Sequence, residues 1–351
     1  MNKKVLFLGE TFRADAQTWI KGLKEYGDFE IISWEIPIYS GKIGRIKRII
    51  KWLGAVNQLK KLVRQQKPDI VLAYRVTSFG YLGAKLGKHP LVVAQQGVTD
   101  VWPPNTITTP FKAKLAKYAL NQADLIHAWG DVMVPAMIEL GANTKKIMVM
   151  AKGVDKNVFY FDGSNSDLDS INIIVTRSLS SDYRHKNILN AIHLVKKKGY
   201  NIKCYMVGGG PLEQDLKNQT IELELADNIV WLGKIPNTDL GNWLRKCNFY
   251  VSTPISEGVS SSLFEAMACG CYPIVTDLIG NRSWINHNDN GKLVGIDNSI
   301  QLADELIDVW LNKEHHTRAI TYNIGLVKEK ATYQTNMPQI VAKYFELIDV
   351  A

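Results

Sequence analysis

The segment from Ser256 to Trp284 constrains the fold of this chain most strongly. It reads SEGVSSSLFEAMACGCYPIVTDLIGNRSW, with Glu257 and Glu265 eight positions apart. Serines directly before an apolar run are typical of a helix N-cap, and the start of a helix presents backbone N–H groups that favour an anion. The pattern predicts a phosphate site between two carboxylates, one on a loop and one about a turn inside the helix. The residues between those glutamates that would form the site are Gly258, Val259, Ser260, Ser261 and Ser262.

A pair of glutamates with this spacing, taken alone, would be read as two solvated side chains on a capped helix, so the surrounding residues decide. Glu257-Gly258, Phe264–Ala268, Gly270, Pro273 and Asp277 resemble the donor-binding signature of retaining glycosyltransferases with the GT-B architecture, family 4. The resemblance implies an α/β fold of two Rossmann-like doubly wound domains that face a cleft, with a C-terminal helix returning to the first domain. It also implies transfer of a sugar from a nucleotide diphosphate-sugar.

The length of the chain agrees with two domains. Its 351 residues are 46% hydrophobic, which is enough to bury a large core. With the resemblance as guide, we predict an acceptor-binding domain at residues 1–155 plus the C-terminal helix 334–351, and a donor-binding domain at residues 170–330. The polar stretch Asp162–Ser170 is predicted to be the linker.

Short β-branched runs alternate with helical stretches in both halves, which is typical of doubly wound parallel sheets. In the first half the predicted strands are Val5–Leu8, Glu30–Trp34, Ile70–Ala73, Leu91–Ala94, Leu125–Ala128 and Ile147–Val149. In the second half they are Asn172–Thr176, Lys203–Val207, Ile229–Trp231, Phe249–Ser252 and Tyr272–Val275. Ligands bind at the carboxyl ends of such strands, so Gly9, which follows the first strand, is a candidate residue on the acceptor side.

The resemblance assigns roles to the charged residues of the donor site. Arg177 ends a strand at the position where the family places a diphosphate-binding arginine. Its cationic partner would be Lys186, with Arg184 as the competitor, because the intervening loop is longer than usual. Glu257 would face the hydroxyls of the donor sugar, and Glu265 would accept hydrogen bonds from the ribose.

Two further loops resemble family elements beside the nucleotide. The first is the turn Gly208–Pro211, in which Gly209 and Gly210 would approach the nucleotide and Pro211 would open a helix. The second contains Lys234 and Ile235, whose backbone would contact the base. A glycine-rich turn alone is weak evidence for nucleotide binding.

One position departs from the family pattern. Many members have a His-Gly pair facing the donor sugar before an aspartate, and here Gln96 stands in place of the histidine, with Asp100 downstream. Glutamine can hydrogen-bond a hydroxyl but cannot act as a base. In retaining transferases of this kind the leaving phosphate is thought to take the acceptor proton, so the change does not exclude activity.

No metal or other cofactor is predicted. The sequence Asp167-Leu168-Asp169 has the spacing of a metal motif but lies in a polar stretch, where chance is the better explanation. The four cysteines lack the spacing of a metal site and are typical of a reducing compartment, so we expect a cytoplasmic protein. No apolar run approaches the ~20 residues that span a bilayer.

The net charge of +8 is concentrated in the first half, where residues 1–152 contain 23 Lys and Arg against 11 Asp and Glu. Residues 37–67 contain nine basic residues and no acidic one. A basic amphipathic helix with a tryptophan there would bind an anionic membrane, such as the inner face of the plasma membrane. The alternative is a packed apolar stripe with solvated lysines. The candidate membrane residues are Lys47, Arg48, Lys51 and Trp52.

These observations predict a metal-independent retaining glycosyltransferase that uses a nucleotide-sugar donor and a saccharide acceptor, lipid-linked if the membrane interpretation holds. Such an enzyme would act in the assembly of bacterial-type surface polysaccharide or glycolipid. Two alternatives remain open: a non-catalytic nucleotide-sugar-binding subunit, and a glucan synthase of the same fold, which the short chain disfavours. Nucleic acid is not an expected partner, since no recognition motif is present.

Overall fold

The computed structural model describes residues 2–37, 41–95, 108–165, 169–258 and 260–351. Within these ranges, the side chains of residues 14, 41–45, 48 and 49 are not described. The chain divides into two compact units: residues 1–152 with 336–351, and residues 153–335.

The first unit is built on a six-stranded parallel sheet in the order β2-β1-β3-β4-β5-β6. Its strands are mostly continuous apolar runs, as expected for a parallel sheet covered on both faces by helices. The strands are β1 (Lys4–Leu8), β2 (Glu30–Trp34), β3 (Ile70–Tyr74), β4 (Leu91–Gln95), β5 (Leu125–Ala128) and β6 (Ile147–Val149). All six predicted strands of this half are present, with ends that differ by one residue at most.

The helices of the first unit pack on this sheet. They are α1 (Ala14–Gly27), α2 (Gly41–Gln66), α3 (Tyr81–Leu86), α4 (Thr109–Gln122) and α5 (Val134–Glu139), and from Asn336 onward the last helix of the chain, α13 (Tyr333–Val350). The ring of Phe345 stacks on Phe29 at 4.8 Å. The buried hydroxyl of Tyr344 lies 3.5 Å from Nδ1 of His127, a buried residue of β5.

The second unit contains a six-stranded parallel sheet in the order β12-β11-β10-β7-β8-β9. The strands are β7 (Ile171–Val175), β8 (Ile202–Val207), β9 (Ile229–Gly233), β10 (Phe249–Ser252), β11 (Tyr272–Thr276) and β12 (Lys292–Val294). The helices are α6 (His185–Lys197), α7 (Glu213–Glu222), α8 (Asn237–Leu244), α9 (Ser261–Ala268), α10 (Ile279–Arg282), α11 (Ser299–Leu311) and α12 (Lys313–Lys330).

The edge strand β12 was not predicted, because it is only three residues long and begins with a lysine. Lys292 is nevertheless buried, and its Nζ lies 2.7 Å from Glu305 and 2.8 Å from Asp308. Paired in this way, a buried ammonium group avoids most of the penalty of an isolated charge. The strand therefore depends on tertiary contacts that local sequence does not reveal.

Two local predictions are wrong. The stretch beginning at Asp162 is not a free linker, because Asp162 pairs with Arg245 and the buried amide of Asn165 donates to the carbonyl of Cys247 at 2.7 Å. These residues belong to the second unit. Pro211 does not open a helix either, since α7 begins two residues later, at Glu213. Pro211 lies in the turn instead.

The strand orders locate the point in each sheet where a ligand is expected. Chain order reverses between β1 and β3 in the first sheet and between β7 and β10 in the second. At such a switch point the connections leave toward opposite faces of the sheet, and a crevice opens beyond the carboxyl ends of the two strands. The predicted doubly wound α/β class is confirmed for both units.

Candidate functional site

An arginine and a glutamate meet at the switch point of the second sheet. Arg177 follows β7 and Glu257 follows β10, and Nη2 of the arginine forms an ion pair with Oε2 of the glutamate. Both side chains are mostly buried, with 13% and 14% of their surface exposed. The sequence predicted both residues for the donor site, and the topology of the sheet brings them into contact.

The guanidinium of Arg177 is held by two further contacts. Its Nε donates to Oγ of Ser252, at the end of β10, over 3.3 Å. Its flat face lies 4.9 Å from the centre of the Tyr183 ring. An arginine fixed on three sides presents its remaining N–H groups in a defined direction, which suits recognition of a phosphate. Neither Ser252 nor Tyr183 was predicted, because neither residue type carries a phosphate-site signal of its own.

The loop after β7 is fastened to the loop after β10. The backbone N–H of Ile255 donates to the carbonyl of Asp182 at 2.9 Å. The hydroxyl of Thr253 donates to the carbonyl of Tyr183 at 3.1 Å. These bonds keep the Tyr183 ring against the guanidinium of Arg177, although the connecting loop is long.

A buried histidine lies beneath the same loop. His185 is 1% exposed, and its burial, with a smaller contribution from the positive charge of Arg177, lowers its pKa to about 4. The imidazole is therefore neutral at physiological pH, so His185 adds no positive charge beside Arg177.

The structure places the two candidate partner cations differently. Arg184 has a left-handed backbone, with a φ of 49°, and its Nε lies 3.3 Å from Asp297. Lys186 is exposed in the first turn of α6. The guanidinium of Arg184 is thus engaged by a carboxylate, whereas the ammonium group of Lys186 faces solvent.

The glycine turn after β8 packs directly on the backbone beside Arg177. A β-carbon on Gly208 would overlap the carbonyl oxygen of Arg177, and one on Gly210 would overlap that of Leu179. Gly208 also has a φ of +134°, which other residues rarely adopt. The carbonyl of Gly209 accepts from the N–H of Leu179 at 3.2 Å. Only glycine lets these two loops approach so closely.

The loop that was predicted to contact the nucleotide base lies next to this turn. Lys234, directly after β9, is exposed, and its Cε lies 3.4 Å from the place where a β-carbon of Gly209 would stand. Ile235 beside it is partly exposed. Gly209, Gly210 and Lys234 are therefore gathered at the same edge of the sheet as Arg177.

The serine run caps α9 as predicted. Ser260 is the N-cap, and its Oγ accepts from the backbone N–H of Leu263 at 3.3 Å. Ser261 and Ser262 form the first turn, and Glu265 is buried one turn further along. Gly258 is partly exposed in the preceding loop, while Val259 lies outside the described residues. The helix start and the Glu257 loop are thus adjacent.

Gly280 in α10 supports this loop from behind, a role that the sequence analysis missed. A β-carbon there would overlap the carbonyl oxygens of Glu257 and Gly258. The adjoining turn is held by Asp277, which accepts from Nε and Nη2 of Arg282 at 2.5 and 2.7 Å. The hydrogen bonds from Arg282 are the main reason that the pKa of the Asp277 carboxyl is lowered.

The predicted acceptor-side residues fall in the first unit. Gly9 lies at the end of β1, where a β-carbon would stand 2.7 Å from Cβ of Tyr74. Gln96 and Asp100 lie outside the described residues.

The predicted membrane residues differ in exposure. Lys47 and Lys51 are exposed on α2. Trp52 instead stacks on Tyr81 of α3 with ring centres 5.3 Å apart, and its indole nitrogen is buried. Trp52, a candidate membrane residue, is therefore only partly exposed and links α2 to α3. The side chain of Arg48 is not described.

Across the described ranges, no group of three or more His, Cys, Asp or Glu side chains is arranged to hold a metal ion. In that same part of the chain, each helix is either too short or too polar to cross a bilayer.

Two family models match the chain, one over each half. The model for glycosyl transferases group 1 matches residues 159–325, and the glycosyl transferase 4-like model matches residues 4–128. Together they cover both sheets almost completely. Arg177, the glycine turn, Glu257 and Glu265 all lie within the first of these matches.

Curated relatives are distant. N-acetyl-alpha-D-glucosaminyl L-malate synthase of Bacillus anthracis is 23% identical over 248 residues, 68% of this chain. That alignment spans 62% of the Bacillus protein, which is less than two thirds of its length. N,N'-diacetylbacillosaminyl-diphospho-undecaprenol alpha-1,3-N-acetylgalactosaminyltransferase of Campylobacter jejuni is 21% identical over 304 residues, 78% of each chain.

A solved structure shares the whole fold. HepE of Anabaena, determined in complex with UDP, superposes with a TM-score of 0.80 over 98% of this chain and 100% of its own. The two sequences are 17% identical, so the likeness shows a common fold and nothing finer. The expected GT-B fold class is confirmed.

The contact between Gly280 and the Glu257 loop gives the first prediction. Gly280→Ala should lower the free energy of unfolding by about 1–3 kcal/mol, because a buried methyl group must displace the loop. Gly325→Ala is the matched control, since its β-carbon would enter open space on α12 and should be neutral or slightly stabilising. Urea unfolding of both variants provides the measurement. Equal midpoints would show that Gly280 does not support the loop.

Proposed function

The chain belongs to the glycosyl transferases group 1, and on that premise we propose that it transfers a sugar from a nucleotide diphosphate-sugar to a saccharide acceptor, with retention of configuration. One observation carries the donor assignment: Arg177, Glu257 and the capped start of α9 converge at the switch point of the second sheet. A diphosphate needs fixed cations and N–H dipoles, a sugar needs a carboxylate, and this edge of the sheet has both.

The chemistry follows the charge that develops during transfer. As the bond between the anomeric carbon and the diphosphate oxygen breaks, negative charge builds on the leaving group. Arg177 and the N–H groups at the start of α9 stabilise that charge. Lys186, exposed in the first turn of α6, is the better second cation, since Arg184 is paired with Asp297. Ordered donors of this kind act without reorganisation and therefore lower the barrier.

The two glutamates would hold the two ends of the donor. Glu257 would bind hydroxyls of the transferred sugar, and Glu265 those of the ribose. The acceptor oxygen forms its bond to the anomeric carbon on the face from which the diphosphate leaves. The departing phosphate oxygen takes the acceptor proton. NMR of the anomeric proton of the product, from a reaction run in EDTA, tests both retention and independence from metal.

UDP-sugars are the first donors to try, because HepE of Anabaena was determined with UDP. Two rival assignments keep the same site. A non-catalytic subunit would bind the donor without turnover, and a glucan synthase would extend a soluble glucan. Release of nucleotide diphosphate that depends on an acceptor excludes the first, and the identity of that acceptor decides the second.

A lipid-linked acceptor is the form that the first unit supports best. On α2, Ile46, Ile50 and Leu53 are 59–66% exposed, and Lys47 and Lys51 stand among them. Such a surface fits the interface of an anionic membrane, where aliphatic side chains enter and lysines pair with headgroups. The Campylobacter relative is named for an acceptor linked to diphospho-undecaprenol, which agrees with this choice. The protein would then act in surface polysaccharide or glycolipid assembly at the inner face of the plasma membrane.

The surface extends onto a neighbouring helix. Tyr81 of α3 stacks on Trp52 and lies 5.6 Å from the Tyr118 ring of α4. At the start of α4, Phe111 is 59% exposed. Through its contacts with Trp52 and Tyr118, Tyr81 links α2 and α4, the two helices that present these exposed side chains.

The division of labour between the glutamates gives the second prediction. Glu265→Gln should weaken binding of the free nucleoside diphosphate, because the carboxylate that accepts from the ribose hydroxyls is replaced by a neutral amide. Glu257→Gln should weaken UDP binding less than Glu265→Gln does, because a glutamine can still hydrogen-bond Arg177, and it should lower kcat by about a hundredfold or more, since its ligand is the sugar. Calorimetric titration with UDP and a turnover assay separate the two effects. Identical losses in both variants would contradict the assignment.

The third prediction concerns the membrane. Replacing Lys47 and Lys51 with glutamate should abolish sedimentation with vesicles that contain anionic lipid, and binding by the wild type should weaken with salt. Replacing Ile50 and Leu53 with serine should weaken binding at every salt concentration. The control exchanges Lys196 and Lys197 of α6 for glutamate, which leaves α2 intact. If sedimentation with vesicles depends neither on lipid charge nor on these substitutions, α2 is not a membrane-binding helix.

A further inference from the structure

Three charged residues meet at the switch point of the first sheet. Glu10 follows β1, Arg75 follows the neighbouring strand β3, and Arg13 precedes α1. Nε of Arg13 donates to Oε2 of Glu10 at 2.5 Å, and Nη2 of Arg75 lies 3.3 Å from the same oxygen. Two guanidinium groups thus converge on one carboxylate where a doubly wound sheet opens its ligand crevice.

The exposure of the three side chains differs in an informative way. Glu10 is 4% exposed, Arg75 is 25% exposed and Arg13 is 42% exposed. The carboxylate is therefore covered, and both arginine side chains are more exposed than it is. A guanidinium has five N–H groups, and in the described ranges the buried Nε of Arg75 has no hydrogen-bond acceptor. The cluster contains more donors than its own carboxylate can satisfy.

Other carboxylates near the cluster already accept hydrogen bonds from protein donors. Asp15 accepts from the backbone N–H of Ala16 at 3.0 Å. Glu35 accepts from the N–H and the hydroxyl of Thr11 at 2.9 and 3.1 Å. The unsatisfied Nε of Arg75 and the exposed guanidinium of Arg13 fit a group that accepts many hydrogen bonds and carries negative charge. Phosphate matches the planar, bidentate geometry of guanidinium better than a neutral hydroxyl does.

The backbone of Arg75 is strained. Its φ of 104° is one that residues other than glycine rarely adopt. Two hydrogen bonds fix it there: its N–H donates to the carbonyl of Ala94 at 3.0 Å, and its carbonyl accepts from Gly80 at 2.8 Å. Glycine would adopt this conformation without strain, so an arginine at this position indicates that its side chain has a use.

The N-terminus of α1 adds positive potential beside the two guanidinium groups. Arg13 is the N-cap of this 14-residue helix, and its side chain makes no capping hydrogen bond. The positive end of the helix dipole therefore adds to the two guanidinium charges. Buried donor, strained backbone and helix start all lie beyond the same strand ends.

We infer that Arg13 and Arg75, held by the buried Glu10, form a binding site for a phosphate group in the first unit. The inference rests on the proposed function and names the part of the acceptor that this site takes. That part is the phosphate or diphosphate that joins the acceptor saccharide to its carrier. The acceptor is then either a lipid-linked saccharide phosphate or a soluble phosphate ester of the saccharide.

The experiment uses the full-length Arg177→Ala protein, in which pyrophosphate binding at the donor site is weakened. Inorganic pyrophosphate is titrated by calorimetry into this protein and into versions that add Arg13→Ala or Arg75→Gly. Each addition should weaken binding by about tenfold or more, because charge-assisted hydrogen bonds are lost. Lys24→Ala removes a positive charge from the last turn of α1 and should leave the affinity unchanged.

Arg75→Gly also separates binding from folding. Glycine relieves the backbone strain but removes one of the two cations that pair with the buried Glu10, so the thermal midpoint of this variant should stay within a few degrees of its parent while pyrophosphate binding falls. Unchanged pyrophosphate affinity in both the Arg13→Ala and the Arg75→Gly versions would overturn the inference. If the proposed donor site is wrong instead, the wild type and Arg177→Ala will bind UDP with equal affinity. That result does not depend on whether the Arg13 site binds phosphate.

A second ligand identifies the carrier. Farnesyl diphosphate in vesicles of zwitterionic lipid is compared with pyrophosphate in the same variants. Tighter binding of the lipid-borne diphosphate, lost with Arg13→Ala, supports the site and assigns a lipid carrier. Equal binding of the two, lost in the same way, supports the site and assigns a soluble ester. If the affinities for both ligands are unchanged by Arg13→Ala and by Arg75→Gly, the proposed site is refuted.

Discussion

The ion pair between Arg177 and Glu257 is the interaction on which the donor site depends. The two residues are far apart in sequence and meet only because β7 and β10 are neighbours in the sheet. Taking both charges out of water costs several kcal/mol, which a close ion pair largely offsets, and buried ion pairs are weak evidence for stability. We therefore interpret this pair as a device that fixes two binding groups relative to each other.

Backbone packing supplies the rigidity that the pair needs. Gly208 and Gly210 let the β8 turn lie directly on the loop that follows Arg177, and Gly280 does the same for the loop of Glu257. Tyr183 and Ser252 then restrict the guanidinium itself. Each of these contacts limits the positions that Arg177 can adopt, so binding a phosphate costs little conformational entropy.

Much of this arrangement could be predicted from the sequence, for identifiable reasons. The strands are uninterrupted apolar runs, and the signature around Glu257 and Glu265 is dense enough to imply the family. The serine cap of α9 follows from residue type and position. These features are encoded locally, within one element or across one turn, where propensity and pattern act directly.

The remaining features depend on tertiary contacts. Strand β12 exists because Lys292 finds two carboxylates on α11, and Trp52 packs inward because Tyr81 lies opposite it. The cluster of Glu10, Arg13 and Arg75 is spread over two loops that only the strand order unites. The supporting role of Gly280 is likewise visible only once the loop it touches is in place. Contacts of this kind, between residues far apart in the chain, cannot be predicted from local sequence patterns.

The most direct test of the donor assignment is a calorimetric titration of UDP into the wild type, Arg177→Ala and Arg318→Ala. Arg318 is an exposed arginine of the same unit and serves as the matched control. Arg177→Ala should weaken UDP binding by about a hundredfold, which corresponds to the loss of two charge-assisted hydrogen bonds, whereas Arg318→Ala should bind UDP as the wild type does. UDP binding of equal strength in all three proteins would contradict the donor assignment.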